Sequence, residues 1–222
     1  AHLLVEDFML LANETVARFG SKLRKDKKPN PFVYRVHDKP DPAKLEIFSS
    51  VASRFGYNIR FKDPKDAAET FNTLLKAVEG KPEQNVLETL AIRSMAKAAY
   101  TTDNIGHYGL AMEYYTHFTS PIRRYPDVLV HRLLEGILNN SDKIIMKVEL
   151  EARCKSSSLM ERKAMDAERE AIKYKQIEFL EDKVGEEFDA IITGVIARGI
   201  FAERKANKCE GMVNVELLGN ED

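Results

Sequence analysis

The residue pattern of the chain changes once, near Gly185, and this change restricts the possible folds more than any other feature. Before Gly185, apolar residues such as Leu4 and Phe8 recur at the spacing of an α-helix. After it, three short segments rich in β-branched and aromatic residues, FDAIITGVIARG, IFAERKANK and EGMVNVELL, have glycines at their turns. The sequence therefore predicts an α+β protein, with a mainly helical part at residues 1–182 and an all-β part at residues 183–222.

Glycine and proline divide the helical part into separate elements. Helices are predicted up to Gly20, from Asp41 to Phe55, from Pro64 to Val78, from Glu83 to Ala99 and, after Ser120, in two long stretches that end near Asp182. FVYRV and YNIRF have strand composition, GHYGLAMEYYTHFT is predicted to be extended, and SKLRKDKKPNP is predicted to be a loop. Three strands are too few for a five-stranded barrel, so the β part is predicted to be incomplete.

Composition limits the class of protein more than it identifies a function. With 44% hydrophobic and 31% charged residues and no apolar run of about 18 residues, the chain is predicted to be soluble and to have no membrane partner. It begins with Ala1, and Glu6 and Asp7 interrupt its opening apolar stretch, which predicts an excision from a longer chain rather than a signal peptide. Cys154 and Cys209 have no metal ligands at suitable spacing, so neither a zinc site nor a disulfide is predicted, and a cytoplasmic setting is favoured.

The segment YTHFTSPIRRYPDVLVHRLL, residues 115–134, concentrates the groups that could bind an anion. The net charge of the chain is −1, so any nucleic-acid site has to be locally basic. Ser120 is predicted to cap a helix that begins at Pro121, with Arg123 and Arg124 in its first turn. Cations are unfavourable at a helix N-terminus unless a negative group offsets them, and a phosphate held by the planar arginine fork would do so.

The residues of this segment leave other interpretations open. Either arginine could pair with a carboxylate such as Asp127 instead of a ligand. Tyr125 and His117 are of the kind that stack on bases, but His107 and His117 are more often structural histidines. Pro126 is predicted to kink or restart the helix, because proline removes a hydrogen bond from a helix interior.

The same segment resembles the signature of the ribonuclease II/ribonuclease R family. Four further segments resemble that family in the family's own order: VEDFMLLAN at residues 5–13, RVHDKP at 35–40, GHYGLA at 106–111 and ERKAMDAERE at 161–170. The β part resembles an OB-fold RNA-binding domain of the ribosomal-protein type. The resemblance thus covers essentially the whole chain and implies the C-terminal portion of the family's catalytic domain followed by the start of an OB fold.

The resemblance implies roles for individual residues. Arg123 matches the arginine that holds the phosphate near the scissile bond, and it is the one residue expected to take part in catalysis. Glu6 matches a glutamate that contacts the 3′-terminal nucleotide and Glu168 a glutamate beside the RNA channel, with a solvated surface position as the alternative for both. Phe201 fits the turn at which the OB fold presents aromatic residues, although it could equally fill the barrel, and Arg198 stands where an aromatic residue is usual. The residues expected to contact RNA are Glu6, His117, Thr119, Ser120, Arg123, Arg124, Tyr125, Glu168, Arg198 and Phe201.

The resemblance also implies an activity and a cofactor. The family's enzymes are processive 3′→5′ exoribonucleases that hydrolyse single-stranded RNA to nucleoside 5′-monophosphates, with Mg²⁺ held by an aspartate cluster. The sequence has no such cluster, and Asp38 and Asp41 in HDKPD match a different family motif, so no metal is assigned to them. We therefore expect the Mg²⁺ ligands to lie outside this chain and the chain alone to be inactive. A non-catalytic RNA-binding protein on the same scaffold, or a helical scaffold that binds proteins, are the alternatives.

Overall fold

The secondary structure follows the predicted order, with helices first and most strands last. The computed structural model describes residues 2–22, 29–61, 67–141 and 145–217. The helices are α1 (His2–Gly20), α2 (Pro42–Arg54), α3 (Ala67–Val78), α4 (Gln84–Ser94), α5 (Tyr125–Leu138) and α6 (Lys147–Glu181). The strands are β1 (Tyr34–Val36), β2 (Ala99–Thr101), β3 (Ala190–Ile196), β4 (Gly199–Arg204) and β5 (Glu210–Asn214). The mixed helical and β architecture is therefore confirmed.

The chain divides into two compact units, residues 1–161 and 162–222, and the division falls within α6. The boundary expected at residue 182 stays a prediction. Within the parts of the chain that are described, no helix is both long enough and apolar enough to cross a bilayer.

The first unit is built around a two-stranded sheet of β1 and β2, which pair antiparallel with Arg35 opposite Tyr100. Phe32, Leu129 and Leu150 are fully buried and belong to one core, which joins the segment before β1 to α5 and the start of α6. The Thr116 hydroxyl donates a hydrogen bond to the carbonyl of Val33 at 2.7 Å, and the Arg35 amide donates to the carbonyl of Tyr115 at 3.0 Å. Residues 115–116 are thereby fixed along β1.

Between β1 and β2, helices α2, α3 and α4 form a small bundle with its own core. Phe48, Phe71 and Leu87 are buried in this second cluster, which shares no buried residue with the first. Asp41 caps α2, since its side chain accepts a hydrogen bond from the Ala43 amide at 3.0 Å, and Pro42 occupies the first turn. The cap signal in the sequence therefore predicted the start of this helix correctly.

The second unit contains the C-terminal part of α6 and an antiparallel sheet in the order β3-β4-β5. The register of β3 shifts between Ile192 and Gly194, where a bulge inserts one residue. A Cβ at Gly194 would lie 3.4 Å from the Phe201 ring, so the ring covers the glycine on the neighbouring strand. All three predicted strands are present, whereas closure into a barrel is not seen among the described residues.

Three elements predicted before Ser120 differ from the structure. GHYGLAMEYYTHFT, residues 106–119, is not extended throughout, because Tyr108–Leu110 form a short 3-10 helix. YNIRF, residues 57–61, is not a strand, because Tyr57, Ile59 and Phe61 pack against the α2–α4 core while the backbone pairs with no described strand. The helix predicted to reach Ala99 ends at Ser94, and Ala99 instead begins β2. The start of the predicted Pro64 helix and most of the predicted SKLRKDKKPNP loop lie outside the described residues.

Candidate functional site

The residues before α5 do not form the helix start that the sequence predicted. Ser120 does not cap a helix: residues 121–123 form a turn, Arg124 is the N-cap, and α5 begins at Tyr125. Pro126 therefore lies in the first helical turn, where its missing N–H costs nothing, and the predicted kink is absent. Two prolines five residues apart each carry a helix-start signal, and tertiary contacts select the second.

The contact that selects it is made by Asp127, which is fully buried. Its Oδ1 accepts a hydrogen bond from the Ser120 amide at 2.8 Å and another from Arg124 Nη2 at 2.7 Å. The carboxylate thus ties the start of the 120–124 turn to α5. The pairing with Asp127, which the sequence left as an alternative for either arginine, is the one that Arg124 adopts.

Arg123 lies at the exposed end of this turn, beside the fully exposed Ile122. Its amide donates to the carbonyl of Ser120 at 3.3 Å, but its guanidinium has neither a hydrogen bond nor an ion pair with any residue that the structure describes. Of two adjacent arginines, one is therefore neutralised by a buried carboxylate and the other carries an accessible positive charge.

Behind the turn lies a group of buried aromatic and histidine side chains. His117 Nδ1 is 2.7 Å from the Tyr100 hydroxyl, and its ring meets that of Tyr115 edge to face at 5.7 Å. Burial lowers the pKa of His117 to about 3, and the positive charges of Arg124 and Arg35, with smaller effects from His107 and Arg123, act in the same direction. His117 is therefore neutral at physiological pH.

Arg35 is held on the far side of Tyr100. Its guanidinium forms two hydrogen bonds with Glu161, at 2.6 and 3.1 Å, and lies over the Tyr100 ring at 4.6 Å from the centroid. Asn13 contacts the opposite end of this aromatic and histidine group. Its side chain donates a hydrogen bond to the Tyr115 hydroxyl at 3.2 Å and accepts one from the Phe118 amide at 3.0 Å. The sequence did not single out these residues as site components.

A signal for three of them was present in the sequence. Asn13 ends the quoted segment VEDFMLLAN, Arg35 begins RVHDKP, and Glu161 begins ERKAMDAERE. Each belongs to a motif that carries the family resemblance, but the resemblance implies no role for it. Only the folded chain brings the three motifs together around residues 115–118.

The other predicted RNA-contacting residues are distributed over both units. Glu6 lies on an exposed face of α1, and the Thr119 hydroxyl is buried without a hydrogen-bond partner among the described residues. The Tyr125 hydroxyl accepts a hydrogen bond from Arg153 at 3.3 Å.

Three predicted residues belong to the second unit. Glu168 lines a cleft of about 620 Å³ between α6 and the loop before β5, whose other walls include Phe179 and Cys209. Arg198 is exposed in the turn between β3 and β4, and Phe201 is half-buried on β4. Their contacts with RNA stay predictions.

The described residues do not fit a catalytic metal. Within residues 2–22, 29–61, 67–141 and 145–217, no group of three or more His, Cys, Asp or Glu side chains could hold a metal ion. Asp38 and Asp41 are exposed, and each accepts a hydrogen bond from a nearby backbone amide. We therefore derive no catalytic step through a metal from this chain.

Comparison with known proteins assigns the chain to a family. A family model described as "RNB domain" matches residues 1–140, which include α1, the two-stranded sheet of β1 and β2, and the Arg123 turn. The chain belongs to the RNB-domain family. It is 41% identical over 224 residues to ribonuclease R of Aquifex aeolicus, covering 100% of this chain and 31% of that protein. It is 42% identical over 222 residues to ribonuclease R 1 of Lactococcus lactis, covering 98% of this chain and 26% of that protein.

Solved structures agree with the assignment to the RNB-domain family. Mycoplasma genitalium RNase R in complex with ribose-methylated single-stranded RNA is 28% identical, with a TM-score of 0.83 over 95% of this chain and 33% of that chain. Yeast Ssd1, described as a pseudonuclease, shares the fold with a TM-score of 0.75 over 95% of this chain and 26% of that chain, at 22% identity. This RNB-domain chain thus spans about a third or less of the length of the curated relatives named above.

Proposed function

We propose that this chain is part of a processive 3′→5′ exoribonuclease of the ribonuclease R type and that it binds the RNA backbone through Arg123. The observation that carries the proposal is the accessible Arg123 guanidinium, presented by a turn that the buried Asp127 holds in place. The family membership supports the activity, and the Mycoplasma genitalium relative, solved with single-stranded RNA, supports the ligand.

Electrostatics explains why a phosphate suits this place. A guanidinium can donate two parallel hydrogen bonds to two phosphate oxygens, and charge-assisted bonds of this kind are about twice as strong as neutral ones. The positive charge of Arg124 is offset by Asp127 at 2.7 Å, whereas Arg123 has no such carboxylate among the described residues. Arg123 is therefore free to neutralise a ligand.

We further propose that catalysis uses Mg²⁺ bound by residues outside this chain and that β3, β4 and β5 belong to an OB fold. The antiparallel order β3-β4-β5 supports the second part, because an OB fold contains such a meander. When bound, Mg²⁺ would activate a water molecule and offset charge on the leaving oxygen. What this chain's own residues do is bind and orient the phosphate.

The binding part of the proposal is tested with Arg123→Ala. The affinity for a short single-stranded oligoadenylate, measured without magnesium, is expected to fall about tenfold, because a charge-assisted contact contributes about 1.5 kcal/mol. The dependence of log affinity on log salt should also become shallower by about one unit, since one phosphate contact is lost. Fluorescence anisotropy over a salt series measures both quantities.

Arg93→Ala is the matched control. Arg93 is an exposed arginine on α4 with neither a hydrogen bond nor an ion pair to a described residue, and the variant changes the net charge by the same amount. Equal affinities for the wild type, Arg123→Ala and Arg93→Ala would contradict the proposal. Binding that does not weaken with salt would instead favour a protein-binding scaffold.

The chain by itself is expected not to hydrolyse RNA. Incubation with the same oligoadenylate and Mg²⁺ should release no nucleoside 5′-monophosphate, as followed by chromatography. Release at rates typical of enzymes would show that the metal ligands are present in this chain. A longer protein that contains this chain and binds RNA without releasing nucleotides would favour the non-catalytic alternative.

A further inference from the structure

Tyr100 and His117 form a hydrogen-bonded pair whose proton positions can be worked out from the contacts. The two atoms, Tyr100 Oη and His117 Nδ1, are 2.7 Å apart, and Tyr100 is 4% exposed. Burial raises the pKa of Tyr100 to about 12, so its hydroxyl keeps its hydrogen at neutral pH. The hydroxyl makes no other hydrogen bond with a described residue.

These contacts determine the tautomer of His117. If Nδ1 carried the proton and donated it, the phenolic hydrogen of Tyr100 would be left buried without an acceptor, which is costly. The favourable arrangement has the Tyr100 hydroxyl donating to an unprotonated Nδ1. Because the imidazole is neutral, its single N–H then lies at Nε2.

Nε2 is the atom of His117 that remains available to a ligand. It has no hydrogen-bond partner among the described residues, and it is not one of the polar atoms that are buried without a partner. Nε2 is therefore not completely buried and is the His117 nitrogen from which a hydrogen bond to a ligand can be donated. A neutral N–H donor at this position complements the oxygen atoms of an RNA backbone.

The position of Tyr100 is itself fixed by charge. Both carboxylate oxygens of Glu161 accept hydrogen bonds from the Arg35 guanidinium, and this guanidinium lies over the face of the Tyr100 ring. The Ser158 hydroxyl also accepts a hydrogen bond from the Tyr100 amide at 2.9 Å. Tyr100 is held from α6 through both its backbone and its ring, so its hydroxyl has little freedom to leave His117.

Burial keeps His117 neutral, and the charged groups around it act in the same direction. Arg35 on β1, Arg124 and Arg123 in the turn, and His107 in the neighbouring loop all disfavour a second positive charge. Glu161 pairs with Arg35 and Asp127 pairs with Arg124, so neither carboxylate is left to stabilise a charged imidazole at His117. His117 therefore offers a hydrogen bond rather than a charge.

We propose that Tyr100 is a positioning residue, which fixes His117 as a neutral Nε2–H donor to a phosphate or ribose oxygen of the RNA bound at Arg123. This inference rests on the proposed RNA-binding function of the Arg123 turn. It assigns different tasks to neighbouring groups: Arg123 supplies charge, and His117 supplies a hydrogen bond of fixed direction.

The first test uses the wild-type chain alone. Long-range ¹H–¹⁵N NMR of the imidazole nitrogens reports which nitrogen carries the proton. The expected result at pH 7 is protonation at Nε2 for His117. Protonation at Nδ1, or a doubly protonated ring, overturns the inference without any variant.

The second test removes the Tyr100 hydroxyl with Tyr100→Phe. The affinity for single-stranded oligoadenylate without magnesium is expected to fall about fivefold, in line with one neutral hydrogen bond, and the His117 nitrogen shifts should move toward a tautomer mixture. Tyr34→Phe, the same change in another buried tyrosine of this core, should leave affinity and tautomer unchanged. In a His117→Gln background, whose amide donates without help from Tyr100, Tyr100→Phe should have no further effect.

The outcomes separate this inference from the proposed function. If Arg123→Ala weakens binding while Tyr100→Phe changes neither affinity nor tautomer, the inference is wrong and the Arg123 site stands. If neither variant weakens binding, the Arg123 site and the inference both fail. A fall in affinity with Tyr100→Phe that persists undiminished in the His117→Gln background also overturns it, because Tyr100 would then act independently of His117.

Discussion

Replacing Asp127 by alanine is expected to lower the free energy of unfolding by about 3–5 kcal/mol, the usual cost of removing one partner from a buried ion pair. Asp127 is fully buried, and the side chain of Arg124 is only 19% exposed. Without the carboxylate, the Arg124 charge and the Ser120 amide both lose their partner at Oδ1. The turn that carries Arg123 would lose its attachment to α5, so RNA binding should weaken together with stability.

The intact pair does not have to be strongly stabilising for this loss to be large. Arg124 Nε and Asp127 Oδ2 are buried without hydrogen-bond partners among the described residues, which reduces the net contribution of the pair. The cost arises because the variant leaves a desolvated charge with nothing to offset it. Asp127→Asn should fall between wild type and alanine, since an amide oxygen still accepts from the Ser120 amide.

Urea unfolding measures this effect, and Asp166→Ala is the control. Asp166 is 72% exposed in a 3.9 Å ion pair with Arg169, a type of contact that contributes about 0–1 kcal/mol. The control should therefore unfold close to wild type. An Asp127→Ala protein that does the same would show that the 120–124 turn is held by other contacts.

Acidification from pH 6.5 to pH 5 is expected to lower the free energy of unfolding by about 2 kcal/mol through two histidines, mostly His117, because solvent screening reduces the contribution of the part-exposed His107. Burial, assisted by neighbouring positive groups, lowers the pKa of His117 to about 3 and that of His107 to about 4, both from 6.5. In this pH range the unfolded chain binds a proton at each histidine and the folded chain does not. Stability is therefore present above pH 6.5 and falls as the pH decreases.

The pH dependence is measured by urea unfolding at intervals between pH 7 and pH 5. The chain contains three other histidines, His2, His37 and His131, so a variant with His107→Gln and His117→Gln isolates the two that matter. Its profile should be much flatter than that of wild type. A wild-type profile that is flat over this range would mean that the two histidines titrate near their ordinary pKa.

Much of the secondary structure could be predicted because its signals are local. The Asp41–Pro42 cap, the stop at Gly20 and the change of pattern after Gly185 each depend on residues close together in sequence, and each appears as predicted. The family resemblance was also readable, since the segment at residues 115–134 is continuous. YNIRF was predicted wrongly because its alternating apolar residues fit a helix-bundle core as well as they fit a strand.

What the sequence by itself determined was the order of helices and strands, the family and the location of a segment with two adjacent arginines that is predicted to bind an anion. The tertiary structure alone decided which proline starts α5, which arginine is neutralised by Asp127 and which remains accessible. It also decided that Tyr100 meets His117 and that Arg35 meets Glu161, 126 positions away. Residue spacing encodes local periodicity and caps, whereas the ionisation and orientation of a buried side chain depend on partners that only folding brings within a few ångströms.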